Sequence, residues 1–127
     1  MERLRCVAGL LAAVWLILSS AMHSILGWKQ LRGDLTALKV PAELMLGLKA
    51  GWQFAGIAML AMGIIALAVL LKRYRGVDVS AFPLVVIGAA YTLFGAWALF
   101  ASGWDLFFLI FLIPGVVLLL AAPRRTA

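Results

Sequence analysis

His23 is the only histidine in this 127-residue chain and Cys6 the only cysteine. These are the side chains from which metal, haem or thiol chemistry would start. They lie at opposite ends of one apolar run, so they cannot ligate one metal together. A haem held by two His23 rings would need a dimer. A single cysteine excludes both an intramolecular disulfide and a Cys-x-x-Cys redox site. Near the start of the first run, Cys6 reads as a small buried thiol. The five acidic residues are Glu2, Asp34, Glu43, Asp78 and Asp105, and none falls in the core of an apolar run. A carboxylate-driven proton exchanger is therefore poorly supported. No nucleophile, base and orienting group can be assembled. The chain reads as a non-enzyme, with no cofactor and no metal site.

The remaining polar chemistry gathers near one end of the apolar runs. His23 sits one turn before the end of the first run, on one helical face with Ser19 and Ser20. Gln53 sits about one turn inside the second run. In an antiparallel arrangement the two residues share a depth, and Trp52, Trp97, Trp104 and Asp105 belong to the same half. A polar group in lipid costs free energy unless it finds a partner. Two readings follow. His23 and Gln53 form an interhelical hydrogen bond, contributing on the order of 1 kcal/mol. Alternatively, His23, Lys49, Trp52 and Gln53, with Asp105 close by, line a small-ligand pocket open to the outer side.

Four apolar runs must position these residues, at about 4–27, 50–71, 82–101 and 105–122. A bilayer core about 30 Å thick needs about 20 apolar residues in a helix. The composition agrees: 66% of residues are hydrophobic and 13% charged, whereas a soluble domain is roughly half apolar and a quarter charged. The expected fold is all-α. It is one domain over 1–127, a polytopic membrane protein built as a four-helix antiparallel bundle.

The net charge of +6 raises nucleic-acid binding, but the basic residues flank the apolar runs and no recognition motif accompanies them. They read as topology anchors. Arg3 and Arg5, then Lys72, Arg73 and Arg75, then Arg124 and Arg125 mark the cytoplasmic side. Lys29, Arg32, Lys39 and Lys49 lie on the other side, and the third loop, Ser102-Gly103-Trp104-Asp105, carries no base. Both termini are thus expected inside. Ser19-Ser20-Ala21 also resembles a signal-peptidase site. Cleavage there would leave three helices in the same orientation, although the apolar stretch runs past the site to Met22 and Ile25.

Local signals refine the elements. The first helix should end near Gly27, with Trp28 and Lys29 as interface anchors. Leu31, Leu35 and Leu38 suggest a short amphipathic turn, interrupted at Gly33-Asp34. Pro41 and Glu43 suit the start of the second helix. Over 41–71 that helix would be about 46 Å long, so its first turns stand outside the hydrocarbon core. Gly47, Gly51 and Ala55 recur every four residues, with Gly63 further along the stripe, and form one packing seam. Gly88, Thr92 and Gly95 form another. Either could serve a neighbouring helix or a second copy. Pro83 fits the first turn of the third helix. Asp105 is a natural cap for the amide of Phe107 or Phe108. Pro114 cannot donate to the carbonyl of Ile110, so a kink or a neighbouring donor is needed there.

At His23-Ser24-Ile25-Leu26-Gly27-Trp28-Lys29, followed by Gly51-Trp52-Gln53-Phe54-Ala55-Gly56, the chain resembles a family of uncharacterised small bacterial four-helix membrane proteins. Members close helix one with H-S-x-L-G and carry Trp followed by His or Gln early in helix two. A weaker echo covers 107–120. The resemblance implies a bacterial inner-membrane protein and no particular activity. Gln53 stands where other members have His, which weakens a two-histidine metal or haem site. The chain also lacks the membrane-embedded glutamate of small multidrug-resistance transporters and the cysteine pair of vitamin-K-reductase-like enzymes. The expected role is an accessory or small-ligand or lipid-binding bundle, whose partners are the lipid bilayer and a second copy or another membrane protein. The rival is a transporter or channel subunit acting as an oligomer.

Overall fold

The computed structural model describes residues 2–122, and among these it contains helices and no strand. Arg124 and Arg125, expected as cytoplasmic anchors, lie outside the described residues. Helix α1 spans Glu2–Met22, a single π-turn spans His23–Gly27, and α2 spans Trp28–Ala37. The three are continuous, a 35-residue rod from Arg3 to Ala37. Helix α3 spans Ala42–Tyr74 and α4 spans Phe82–Ala101. A 3₁₀ turn at Leu106–Phe108 leads into α5, Leu109–Ala121. The Arg3–Ala37, Ala42–Tyr74 and Phe82–Ala101 helices are long and apolar enough to cross a membrane; Leu106–Ala121 is a shorter apolar helix.

Two boundaries differ from expectation. The first helix does not stop at Gly27, and Gly33-Asp34 does not break α2. A glycine inside a helix costs only about 1 kcal/mol, and the helix has already been propagated through the π-turn. It ends at Lys39 instead, whose φ of 55° is left-handed. There the Val40 amide donates to the Leu35 carbonyl and the Lys39 amide to Thr36. This is the paired bonding of a Schellman cap, which usually places glycine at that position. The same pairing recurs at Gly76, which ends α3, and at Gly103, which ends α4.

The core lies toward the end of the bundle where α1 begins and α5 finishes. Helix α1 presents Ala12, Ala13, Leu16, Ser19 and Ser20 as its buried stripe, the i, i+3, i+4 spacing of one helical face. Helix α3 presents Gly56, Met59, Gly63, Ala66 and Leu70. Leu16, Leu70, Leu84 and Leu118 are the largest fully buried side chains. Gly9 marks the point where α1, α3 and α5 converge: a Cβ there would sit 2.8 Å from Ala121 Cβ and 3.0 Å from Leu70 Cδ2. The Cys6 thiol donates to the Leu70 carbonyl at 3.5 Å, and Arg73 donates to the Ala121 carbonyl at the end of α5.

The α3 seam is shifted from the one read in the sequence. Gly47 and Gly51 face open space, and Ala55 is only partly buried. The stripe that packs on α1 steps through Gly56 and Gly63, where Ile17 Cγ1 would stand 2.8 Å from a Gly63 Cβ. A strict four-residue step drifts off one helical face, whereas alternating three and four holds it. On α4 the stripe is as read, but α5 fills it. A Cβ at Gly95 would lie 2.5 Å from the Leu112 nitrogen, and one at Gly88 2.9 Å from the Gly115 carbonyl. A Cβ at Gly115 would in turn lie 2.6 Å from the Thr92 nitrogen. The Gly88, Thr92 and Gly95 seam therefore has no free face for a second copy.

The helices end at different levels. The indole of Trp15 reaches Ile110. From Ile110 back to Leu106 is about 6 Å, whereas from Trp15 on to Ala37 is about 33 Å. The α2 and early α3 segments therefore form a two-helix arm extending beyond the ends of α4 and α5.

Candidate functional site

The polar residues of the π-turn and α3 meet at the root of this arm. The imidazole of His23 and the indole of Trp52 stack with ring centroids 4.2 Å apart and planes 5° from parallel. Each ring also donates to the backbone of the other residue. Trp52 Nε1–H donates to the His23 carbonyl at 2.7 Å, and His23 Nε2 lies 3.2 Å from the Trp52 carbonyl. A carbonyl can only accept, so the Nε2 nitrogen carries the proton. One residue further along each helix, Gln53 Nε2 donates to the Ser24 carbonyl at 3.0 Å.

The π-turn makes this arrangement possible. In an α-helix a carbonyl points along the axis at the amide four residues on. Here the Trp28 amide reaches back five residues to the His23 carbonyl. Widening the turn tilts carbonyls outward, and α3 supplies the second donors. The expected hydrogen bond between the His23 and Gln53 side chains is not formed. Both side chains bond backbone on the opposite helix instead: Gln53 takes a carbonyl of the π-turn, and His23 takes the Trp52 carbonyl of α3.

Two glycines clear the space. A Cβ on Gly27 would stand 2.9 Å from Trp52 Cζ2, so the indole seats directly against the π-turn. A Cβ on Gly56 would collide with Ser24 Oγ and stand 3.5 Å from His23 Cδ2. Neither glycine belongs to the four-residue stripe that drew attention in the sequence. Their signal lies in the spacing to the aromatic ring: each is four residues from one of the stacked pair, one turn away on the same face.

Lys49 and Asp105 are not part of this cluster. Asp105 caps its own turn, accepting from the Phe107 amide at 2.9 Å. Lys49 lines a shallow cleft of about 260 Å³ between α2 and α3, with Trp28, Arg32, Ala42, Met45 and Leu46. The sequence reading did not include Trp28 or Arg32 with Lys49, because their proximity depends on helix one continuing past Gly27. Trp97 and Trp104 are mostly exposed and contact Phe94 and Phe100 on or beside α4.

A second indole repairs a second helix defect. Pro114 lies within α5 and leaves the Ile110 carbonyl without its helical donor. Trp15 Nε1–H donates to that carbonyl at 3.1 Å. Two hydroxyls in the α4 core, Tyr91 OH and Thr92 Oγ1, are buried without a hydrogen-bond partner.

Chemically, the His23 cluster is a joint. One imidazole nitrogen is committed to a carbonyl, one ring face is covered by indole, and no described hydrogen bond ties the ring to a carboxylate that could orient it as a base. Among the described residues no three His, Cys, Asp or Glu side chains are grouped as a metal site would require. Cys6 and His23 are about 26 Å apart along the helix. Compared with protein-family models, with curated proteins and with solved structures, the chain matches none.

Proposed function

We propose that this chain is a multi-pass protein of the bacterial inner membrane that acts without catalysis, as an accessory or small-ligand or lipid-binding bundle. The observation that carries this reading is the distribution of polarity. Three helices are long and apolar enough to span a bilayer, and large apolar side chains such as Leu11, Phe54, Leu93 and Phe100 point away from the bundle, each more than two-thirds exposed. The polar side chains of His23, Trp52 and Gln53 are spent on backbone carbonyls between helices. In water that surface would be an aggregation hazard; in lipid it is the solvated face. The charge pattern favours both termini and the Lys72, Arg73 and Arg75 turn in the cytoplasm, with the α2–α3 arm outside. The family likeness at the end of helix one points the same way.

Native mass spectrometry of the whole protein from mild detergent tests this. The expected result is retained phospholipid with no covalent or tight organic cofactor. A stoichiometric haem or quinone would overturn it.

The open face at Gly47 and Gly51 favours a second reading, a small transporter or channel subunit that oligomerises through early α3. Substrate-dependent flux in proteoliposomes, together with a defined oligomer in the same mass spectra, would select it.

A further inference from the structure

The cleft between α2 and α3 has a lining suited to an anion. Arg32 and Lys49, which carry a guanidinium and an ammonium, both line the cleft, and no acidic residue does. Trp28, Met45, Leu46 and Ala42 form the rest of its wall. Its position is equally specific. Trp28 and Arg32 follow directly on the end of the first apolar run, and Lys49 immediately precedes the second. On the arm just past the apolar runs, two cations and an indole would face the headgroup layer, since aromatic rings and long basic side chains settle at the membrane surface. The volume of about 260 Å³ falls just under the roughly 300–1,000 Å³ of drug-sized ligand pockets. It suits one headgroup rather than an entire lipid, whose tails would run down the exposed apolar surface.

We propose that this cleft binds the phosphate of an anionic phospholipid headgroup in the outer part of the membrane, with Arg32 and Lys49 as its two charged contacts. Guanidinium takes a phosphate through paired N–H donors and ammonium as a point charge. The Trp28 ring packs against the glycerol region. The proposal rests on the membrane reading above.

The test uses the full chain in mild detergent, with native mass spectrometry following titration of phosphatidylglycerol, phosphatidylcholine or inorganic phosphate. Arg32→Gln/Lys49→Gln is compared with a charge-matched control, Lys29→Gln/Lys72→Gln, whose residues do not line the cleft. Arg32 and Lys49 are exposed, so the core is untouched, and circular dichroism confirms the helical content of each variant. The expected result is phosphatidylglycerol binding that falls by at least about tenfold in the cleft variant and far less in the control. Equal loss in both variants, no loss in either, or equal binding of phosphatidylcholine would overturn the proposal. Saturable binding of inorganic phosphate with no preference for the lipid would assign the cleft to a free anion and overturn it as well. Lipid retained but indifferent to these substitutions refutes this site alone; a protein that retains no lipid of any class refutes the membrane role beneath it.

Discussion

Trp52 and His23 hold one another twice, ring against ring at 4.2 Å and each ring nitrogen on the other's backbone carbonyl. The arrangement is reciprocal, so removing either side chain loses the stacking and costs one carbonyl its second donor. Each single substitution, His23→Ala or Trp52→Leu, should lower stability by about 1–3 kcal/mol. The double substitution should cost less than the sum, with a coupling of about 1–2 kcal/mol. Reversible unfolding in mixed detergent and dodecyl sulfate micelles measures this cycle; strict additivity would show that the two side chains act independently.

Glycines of the two small-residue stripes should respond in opposite directions. Gly95→Ala places a methyl 2.5 Å from the Leu112 nitrogen, which is backbone and cannot step aside. The expected destabilisation is about 1–3 kcal/mol. Gly47→Ala meets nothing within 4 Å and gains helix propensity, so it should be neutral or stabilising by up to about 1 kcal/mol. Thermal unfolding in detergent distinguishes them. A large loss from Gly47→Ala would reveal a partner on that face and favour the oligomer.

Trp15 and Pro114 form a second testable pair. Trp15→Phe should cost about 0.5–1.5 kcal/mol by stranding the Ile110 carbonyl. In a Pro114→Ala background the restored amide of residue 114 satisfies that carbonyl, and the same Trp15 substitution should cost measurably less. An unchanged cost in the alanine background would mean that Trp15 contributes through packing alone.

Lys39 occupies the left-handed position that ends α2, at φ 55°. A side chain there costs roughly 1–2 kcal/mol relative to the right-handed region, and glycine avoids it. Lys39→Gly should therefore leave stability unchanged or raise it by up to about 1 kcal/mol, despite adding a flexible residue. A clear loss in thermal unfolding would show that the lysine makes a contact worth more than the strain.

Much of the helical order was legible because its signals are local. Pro83 in the first turn of α4 and Asp105 capping Phe107 follow from one residue type beside a run. Pro114 even declared its own unmet need, since any proline inside a helix strands the carbonyl four residues back. What stayed hidden is the donor. Trp15 is 95 residues away from Ile110, and nothing in its surroundings says which face of α1 will meet α5. The π-turn was equally silent: His23-Ser24-Ile25-Leu26-Gly27 is compatible with α-helix, and only the second donors from Trp52 and Gln53 compensate for widening it. That is why His23 and Gln53 lie close together between the two helices yet bond backbone carbonyls and not each other's side chains. The continuity of helix one was missed because glycine at 33 is a weak breaker, and with it went the proximity of Arg32 to Lys49.

The proposed topology puts the joint at His23 and Trp52, and the arm beyond it, on the outer side of the membrane. Cysteine labelling tests it most directly. In a Cys6→Ala background, Asp34→Cys places a thiol on the exposed α2 arm, and Asp78→Cys places one in the exposed turn between α3 and α4. A membrane-impermeant maleimide added to intact bacterial cells should label the first and spare the second until the membrane is permeabilised. Labelling of Asp78→Cys with Asp34→Cys protected would invert the topology, and labelling of both in intact cells, or of neither, would rule out the proposed placement of the arm.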